Sequence, residues 1–163
     1  MTIGEQFLPT EPERHLGRNC AILLIALDRG LGHDGEEMDS TEAKAFVRRH
    51  FEDFVNRQDL SAADRNFAAD YREHGTDVPP GLPAGPEGPK KYLAAAFKRF
   101  PDIHVTVEDI IAEGDKVVVR NTWRASDRET GQKIEFGGIV IWRIEGGKLA
   151  ERWAYLQAPH AIH

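Results

Sequence analysis

The spacing of apolar residues predicts two helices in the first half of the chain. One begins near Asp39, which can form a capping box with Glu42, and apolar residues then recur at helical intervals. Ser61 begins a second, shorter helix that carries Phe67 and Tyr71 on one side. Both helices have one apolar face, so both must pack against other elements.

A loop rich in proline and glycine separates these helices from a third. Residues 74–88 contain four prolines and four glycines, a composition that disfavours both helix and strand. Pro89 suits the first turn of a third helix, and Pro101 ends that helix. Its apolar stripe consists of Tyr92, Leu93, Ala96, Phe97 and Phe100.

From Ile103 onward apolar and polar residues alternate, which predicts four antiparallel strands joined by hairpins. The third strand is apolar on both faces, formed by Phe136, Val140 and Trp142 and by Ile139 and Ile141. The helices cover only one face, so we expect a second subunit on the other. The predicted fold is α+β, with three N-terminal helices packed on a curved four-stranded sheet.

The chain divides into three parts by composition. Its 163 residues, 40% of them hydrophobic, suit one domain with one core, which we place at 39–158. Residues 1–38 form an N-terminal extension without a clear period, and residues 159–163 form a C-terminal tail.

Charge and cysteine content narrow the possible partners. The formal net charge is -6, and a surface of that sign repels nucleic acid. Cys20 is the sole cysteine, so no intrachain disulfide can form. The longest apolar run, residues 20–27, is too short to cross a bilayer. We therefore expect a cytoplasmic protein that binds neither nucleic acid nor membranes.

Several phrases of the sequence resemble one known family. FEDFVNRQDL, ADYREHG, GPEGPKKYL and IEGGKLAERWAYL follow one another in the order found in the SnoaL-like polyketide cyclases of the NTF2-like superfamily. The resemblance covers residues 41–157. It implies a cone-shaped barrel that encloses a cavity, dimers formed through the sheet, and acid/base chemistry without a cofactor.

The resemblance also shows where this chain departs from the family. The last-strand Asp that acts as general acid/base in family cyclases matches Ala154, and a His two residues earlier matches Arg152. Two further positions that are polar in the family cyclases match Gly138 and Val140. Alanine cannot transfer a proton, so the mechanism of the family cyclases lacks its acid here.

Three other side chains are candidates for the chemistry. Arg152 can hold a carboxylate or stabilise an enolate, or it can form a structural ion pair with an acid such as Glu135. His74, at the start of the loop, is a candidate general base, and the alternative is a solvated histidine. Tyr71, placed one helical turn before His74, can donate to a substrate oxygen or simply form part of the wall. Asp77 is interpreted as a turn residue.

The predicted substrate-binding wall combines apolar residues with positions taken from the resemblance. It consists of Phe54, Phe97, Gly138, Val140 and Ala154. The sequence does not decide whether Arg120 and Arg124 face the cavity. We interpret the three tryptophans as packing or dimer contacts.

Two other kinds of site receive little support. Residues 30–35 match GxGxxG, but no βαβ unit surrounds them, so a dinucleotide site is not expected. Histidines at metal-ligand spacing are missing from the sequence, so we expect neither a metal nor a cofactor.

The sequence leaves three functions open. The leading hypothesis is a cofactor-free cyclase, isomerase or lyase that acts on an apolar, oxygenated small molecule such as a polyketide-like metabolite. The alternative is a non-catalytic binding or accessory protein, which the alanine at position 154 favours. The third is an epoxide hydrolase whose water-activating carboxylate is Glu135 or Asp77.

Overall fold

The computed structural model describes residues 38–162. The predicted extension, apart from Met38, and the GxGxxG motif therefore lie outside the described residues. Within the described part of the chain, no helix is both long and apolar enough to cross a membrane.

The helices precede most of the sheet, as the sequence predicts. They are α1 (Ser40–His50), which continues as a π-helix over Phe51–Asn56, α2 (Ala62–Asn66) and α3 (Glu87–Arg99). The capping box is confirmed, because Asp39 Oδ1 accepts the backbone N–H groups of Thr41 and Glu42. The Glu42 carboxylate in turn accepts the Asp39 N–H at 3.1 Å. These bonds pair N–H groups that otherwise lack intrahelical partners.

The described residues form one mixed sheet of six strands. They are β1 (Phe67–Glu73), β2 (His104–Glu113), β3 (Lys116–Ser126), β4 (Lys133–Glu145), β5 (Lys148–Leu156) and β6 (His160–Ala161). The spatial order is β1-β5-β4-β3-β2, and β6 pairs with β4. The four predicted strands, β2 to β5, are antiparallel neighbours as expected. The sequence did not predict β1, or β6 within the tail.

The prediction that Phe67 and Tyr71 lie on a helix was wrong. Helix α2 ends at Asn66, and both residues lie on β1, which pairs with β5 in parallel. A spacing of four places two side chains on the same side of either a helix or a strand, so the local pattern fits both. Burial favours the strand, because both rings enter the core and pack 4.6 Å apart between centroids.

The helices cover the inner face of the sheet. Asn56 fixes the π-helix to the edge strand by accepting the Val105 N–H at 2.9 Å and donating to the Val105 carbonyl at 3.1 Å. The buried side chains of β3 alternate along this face: Val117, Val119, Asn121, Trp123 and Ala125. Arg120 and Arg124 therefore point away from the helices, which settles the orientation that the sequence left open.

Candidate functional site

A cavity of about 630 Å³ lies between the helices, the inner face of the sheet and the loop after β1. Much of its wall is aromatic and includes Phe51, Phe54, Phe67, Tyr92, Trp123 and Phe136. The proline- and glycine-rich loop closes another side with residues 77–84. A volume of this size accommodates a small organic molecule, and the lining suits a largely apolar one.

A charged cluster interrupts the apolar wall, with Arg152 at its centre. The guanidinium Nη1 lies 2.9 Å from Glu73 Oε1 and 3.2 Å from Asp77 Oδ1, and Nη2 lies 2.8 Å from Asp77 Oδ2. The Arg152 side chain is only 11% exposed. One cation thus faces two carboxylates, and the formal charge of the cluster is negative. Asp77 is therefore more than a turn residue.

The sequence analysis suggested Glu135 as an ion-pair partner of Arg152, and this suggestion was wrong. Glu135 lies 2.6 Å from Arg124, whose side chain is 60% exposed on the outer face. Burial opposes the charge of Arg152, but the Asp77 hydrogen bond and the charges of Glu73 and Asp77 outweigh it and raise the pKa of the guanidinium. Arg152 therefore stays cationic in a largely apolar cavity.

Gly75 gives the cluster the space it needs. A side chain at this position would collide with Asp77, Arg152 and Glu73. Its backbone N–H also donates to Glu73 Oε1 at 2.7 Å. A glycine at this point lets the start of the loop lie directly against the three charged groups.

Two tyrosines extend the cluster into the cavity. The Tyr71 hydroxyl donates to Glu73 Oε2 at 2.7 Å, and Tyr92 donates to the Asp77 carbonyl at 3.3 Å. Burial, followed by the nearby carboxylates, raises the pKa of both phenols. Both therefore remain protonated, and they act as hydrogen-bond donors rather than as bases.

His74 is held at the rim, with its ring turned away from the cluster. Its imidazole stacks on Trp153 with centroids 4.7 Å apart, and Nε2 lies 2.7 Å from Glu151 Oε2. Both partners lie on the face of β5 opposite to Arg152. The backbone of His74 still joins the site, because its N–H donates to the Arg152 carbonyl at 2.8 Å. The structure therefore does not bring the imidazole into the charged cluster.

His50 lies in the wall, although its sequence context did not mark it as a candidate. It is 2% exposed, and the rings of Phe51, Phe54, Phe67 and Trp142 surround it. Burial and then the positive charge of Arg152 lower its pKa to about 3. The imidazole is therefore neutral across the physiological range.

The predicted substrate-binding wall is only partly present. Phe54 lines the cavity, whereas Phe97, Gly138, Val140 and Ala154 are not part of its lining. Val140 and Ala154 are buried in the core, and the Leu156 side chain lies against Gly138. Their placement therefore gives the predicted substrate contacts no support.

Sequence reasoning missed Glu73, and the wrong assignment of β1 explains why. In a strand, residues two apart share a face, so Glu73 would have been grouped with Tyr71. His50 looked like one more member of the buried helical stripe. Trp142 was interpreted as a packing residue, but it also lines the cavity.

Metal-ligating residues are not concentrated anywhere in residues 38–162. No group of three or more His, Cys, Asp or Glu side chains in that range is arranged to hold an ion. His33 and Asp34, considered in the sequence, lie outside the described residues.

Helices packed on one face of a curved sheet, with a cavity between them, define an NTF2-like α+β protein. The chain belongs to the SnoaL-like polyketide cyclase family, whose model matches residues 45–159. The resemblance noted in the sequence is thereby confirmed. A search of curated proteins found no match.

Solved structures agree with this assignment. TsrD from Streptomyces laurentii has a TM-score of 0.67 at 23% identity, over 74% of this chain and 92% of that chain. AclR from Streptomyces galilaeus has a TM-score of 0.62 at 26% identity, over 72% of this chain and 90% of that chain. IdmH from Streptomyces antibioticus has a TM-score of 0.60 at 26% identity, over 69% of this chain and 90% of that chain.

Replacing Arg152 should be costly because it leaves two partly buried carboxylates without their cation. We expect Arg152→Met to lower the free energy of unfolding by about 3 kcal/mol in urea titrations at pH 7. Arg124→Met is the matched control, since it breaks an exposed pair and should cost less than about 1 kcal/mol. Equal losses in the two variants would contradict the structural role of Arg152.

The low pKa of His50 predicts a loss of stability in acid. The unfolded chain takes up a proton near pH 6.5 but the folded chain does so only near pH 3, so the free energy of unfolding falls as pH falls between these values. Between pH 6.5 and pH 5, the free energy of unfolding of the wild type should fall by about 2 kcal/mol more than that of His50→Phe.

The control for this experiment is His104→Phe on β2, because the His104 side chain is exposed. The free energy of unfolding of His104→Phe should change with pH as that of the wild type does. Parallel stability curves for wild type and His50→Phe would show that His50 is not protected from protonation in the folded state.

Proposed function

We propose that this protein is a cofactor-free acid/base enzyme of the cyclase, isomerase or lyase type. Its substrate would be an apolar, oxygenated small molecule such as a polyketide-like metabolite. The observation that carries the proposal is the Glu73–Arg152–Asp77 cluster on the wall of an aromatic cavity. Such a wall binds carbon rings, and the cluster supplies the groups that can move a proton.

Glu73 is the general base in this proposal. Its Oε1 accepts from Arg152 and from the Gly75 N–H, and its Oε2 accepts from Tyr71, so Arg152 and Tyr71 both lie beside the carboxylate. When Glu73 takes a proton from a carbon next to a carbonyl group, negative charge moves to the substrate oxygen. Arg152 and Tyr71 can then turn from the neutralised carboxyl group to the enolate.

This arrangement offers a substitute for the missing acid at position 154. Ala154 is buried and cannot transfer a proton. Glu73 is the register partner of Arg152 on the neighbouring strand, and Arg152 lies two residues before Ala154. The proposed carboxylate therefore comes from β1 instead of β5, and it lines the cavity, whereas Ala154 does not.

A non-catalytic binding protein is the second candidate. It is favoured by the internal pairing of the cluster, in which both terminal nitrogens of Arg152 already bond to carboxylates. An epoxide hydrolase would have to use Asp77 or Glu73, because Glu135 pairs with Arg124 outside the cavity. Inertness toward a panel of small epoxides would remove that third candidate.

Proton abstraction can be tested without knowing the substrate. We expect the protein to accelerate exchange of the α-protons of 1-tetralone, an aromatic ketone, in heavy water, as followed by proton NMR. Glu73→Gln should lower the catalysed rate by at least about 100-fold, since general-base catalysis contributes that much. Glu135→Gln is the matched control and should leave the rate unchanged. Binding of the ketone without exchange would favour the second candidate.

We also propose that a second copy of the chain covers the outer face of the sheet in the cytoplasm. Ile111, Val118, Ile141 and Trp153 are register partners across four strands on that face. Ile139 and Tyr155, paired beside this row, are 43% and 68% exposed. An apolar band of this length is unusual for a free surface.

The proposed dimer predicts that a charge in this band separates the subunits. The protein should elute as a dimer in size-exclusion chromatography with light scattering, and Tyr155→Lys combined with Ile139→Lys should shift it to monomer. Arg49→Glu on the exposed side of α1 is the control and should remain dimeric. A monomeric wild type would refute this part of the proposal.

A further inference from the structure

Residues 76–84, here called the loop wall, close one side of the cavity with very few hydrogen bonds. All residues from 77 to 84 line the cavity. Three of the nine residues of the loop wall are proline and have no backbone N–H to donate. Among the described residues, the loop wall forms hydrogen bonds only through Asp77. The hydrogen bonds that place this wall therefore all pass through one residue.

Asp77 joins the loop wall to two other elements. Its carbonyl accepts the hydroxyl of Tyr92 on α3 at 3.3 Å. Its carboxylate holds the Arg152 guanidinium at two points, with Oδ1 3.2 Å from Nη1 and Oδ2 2.8 Å from Nη2. Glu73 contacts the guanidinium through Oε1 and Nη1 alone. A two-point contact fixes the plane of a guanidinium, which a one-point contact does not.

The pair formed by Asp77 and Arg152 is also shielded from water. The two side chains are 15% and 11% exposed, whereas that of Glu73 is 23% exposed. A long arginine side chain loses rotamer freedom when it is held in one position, and strong bonds must offset that loss. Charge-assisted bonds with little competition from water do so. Asp77 is therefore the group that best orients Arg152.

We propose that Asp77 is a positioning residue that orients Arg152 against the Glu73 carboxylate and, by the same contact, holds the loop wall in place over the cavity. This inference rests on the proposed function in that Glu73 and Arg152 are its reacting groups. The orientation itself requires neither a ligand nor turnover.

The shared contact links the apolar part of a substrate to the charged cluster. Val78 and Leu82 line the cavity, so a carbon ring that packs on them favours the position in which Asp77 holds Arg152. Binding energy from a part of the substrate that does not react is then used to orient a group that does.

Rotation of the Arg152 guanidinium tests the orienting role directly. Proton–nitrogen spectra of full-length protein labelled with ¹⁵N-arginine report rotation about the Nε–Cζ bond, and the Arg152 signals are those missing from Arg152→Met. We expect separate Nη1 and Nη2 signals in the wild type, because the two-point contact blocks this rotation. Asp77→Asn should merge them. Glu73→Gln should keep them separate, because the contact with Asp77 remains.

Asp109→Asn is the matched control for these spectra. Asp109 pairs with Arg120 on the outer face, and both side chains are more than half exposed. This variant should leave the Arg152 signals as in the wild type. Merged signals in the wild type or in Glu73→Gln, or separate signals in Asp77→Asn, would overturn the proposal. The first two measurements decide the matter even if Asp77→Asn does not fold.

The methyl signals of Val78 and Leu82 report the position of the loop wall. Both residues line a largely aromatic cavity, so ring currents shift their methyl protons. In Asp77→Asn these shifts should move toward the values of an unstructured peptide, whereas Asp109→Asn should leave them unchanged. Unchanged shifts in Asp77→Asn would show that the wall keeps its place without Asp77 and would overturn that half of the proposal.

Exchange of the α-protons of 1-tetralone separates positioning from ligand binding. Asp77→Asn should lower kcat by about tenfold or more with KM changed less, because the lost bonds are charge-assisted and Asp77 acts through Arg152. Asp77→Glu keeps the carboxylate and should recover part of the rate. A higher KM with unchanged kcat would make Asp77 a ligand contact and overturn its positioning role. If the wild type does not exchange the ketone, the proposed function fails, and the guanidinium spectra still decide the role of Asp77.

Discussion

The ion pairs of Arg152 hold together the parts of the structure that form the cavity. The guanidinium on β5 bonds to Glu73 at the end of β1 and to Asp77 in the loop. It thereby joins an edge strand, its neighbour and a segment with no regular structure. Without the cation, two carboxylates would lie beside an aromatic wall, where an isolated charge is costly. The groups with the richest chemistry are thus also those on which the local fold depends.

The cavity combines a charged cluster with a largely apolar lining. The charged cluster has an excess of negative charge, which suits proton abstraction better than the binding of anions. Membership of the SnoaL-like family gives the architecture but does not by itself give this arrangement. The chemistry must therefore be argued from the residues of this chain.

The sequence revealed the features that depend on local patterns. The capping box at Asp39 and the alternation within β2 to β5 needed only neighbouring residues, and the structure confirms them. Strand β1 was missed because the spacing of Phe67 and Tyr71 fits helix and strand equally. Its pairing with β5 depends on residues far away in the chain.

The site was harder to predict than the fold for the same reason. Arg152 was selected from its position on β5, but its partners Glu73 and Asp77 belong to other segments. His50 carries the same helical pattern as the core residues around it. No local pattern distinguishes a histidine in the core from one in the wall of a cavity.

The parallel pairing of β1 with β5 also has a consequence for the order of folding. The two residues of the central ion pair are 79 positions apart, and three further strands are formed between them. Such a distant contact forms slowly, because a long loop must close first. During synthesis Glu73 leaves the ribosome long before its cation and stays hydrated meanwhile. The cavity wall is therefore completed only when the last long strand docks, and an incomplete chain has no site to occupy.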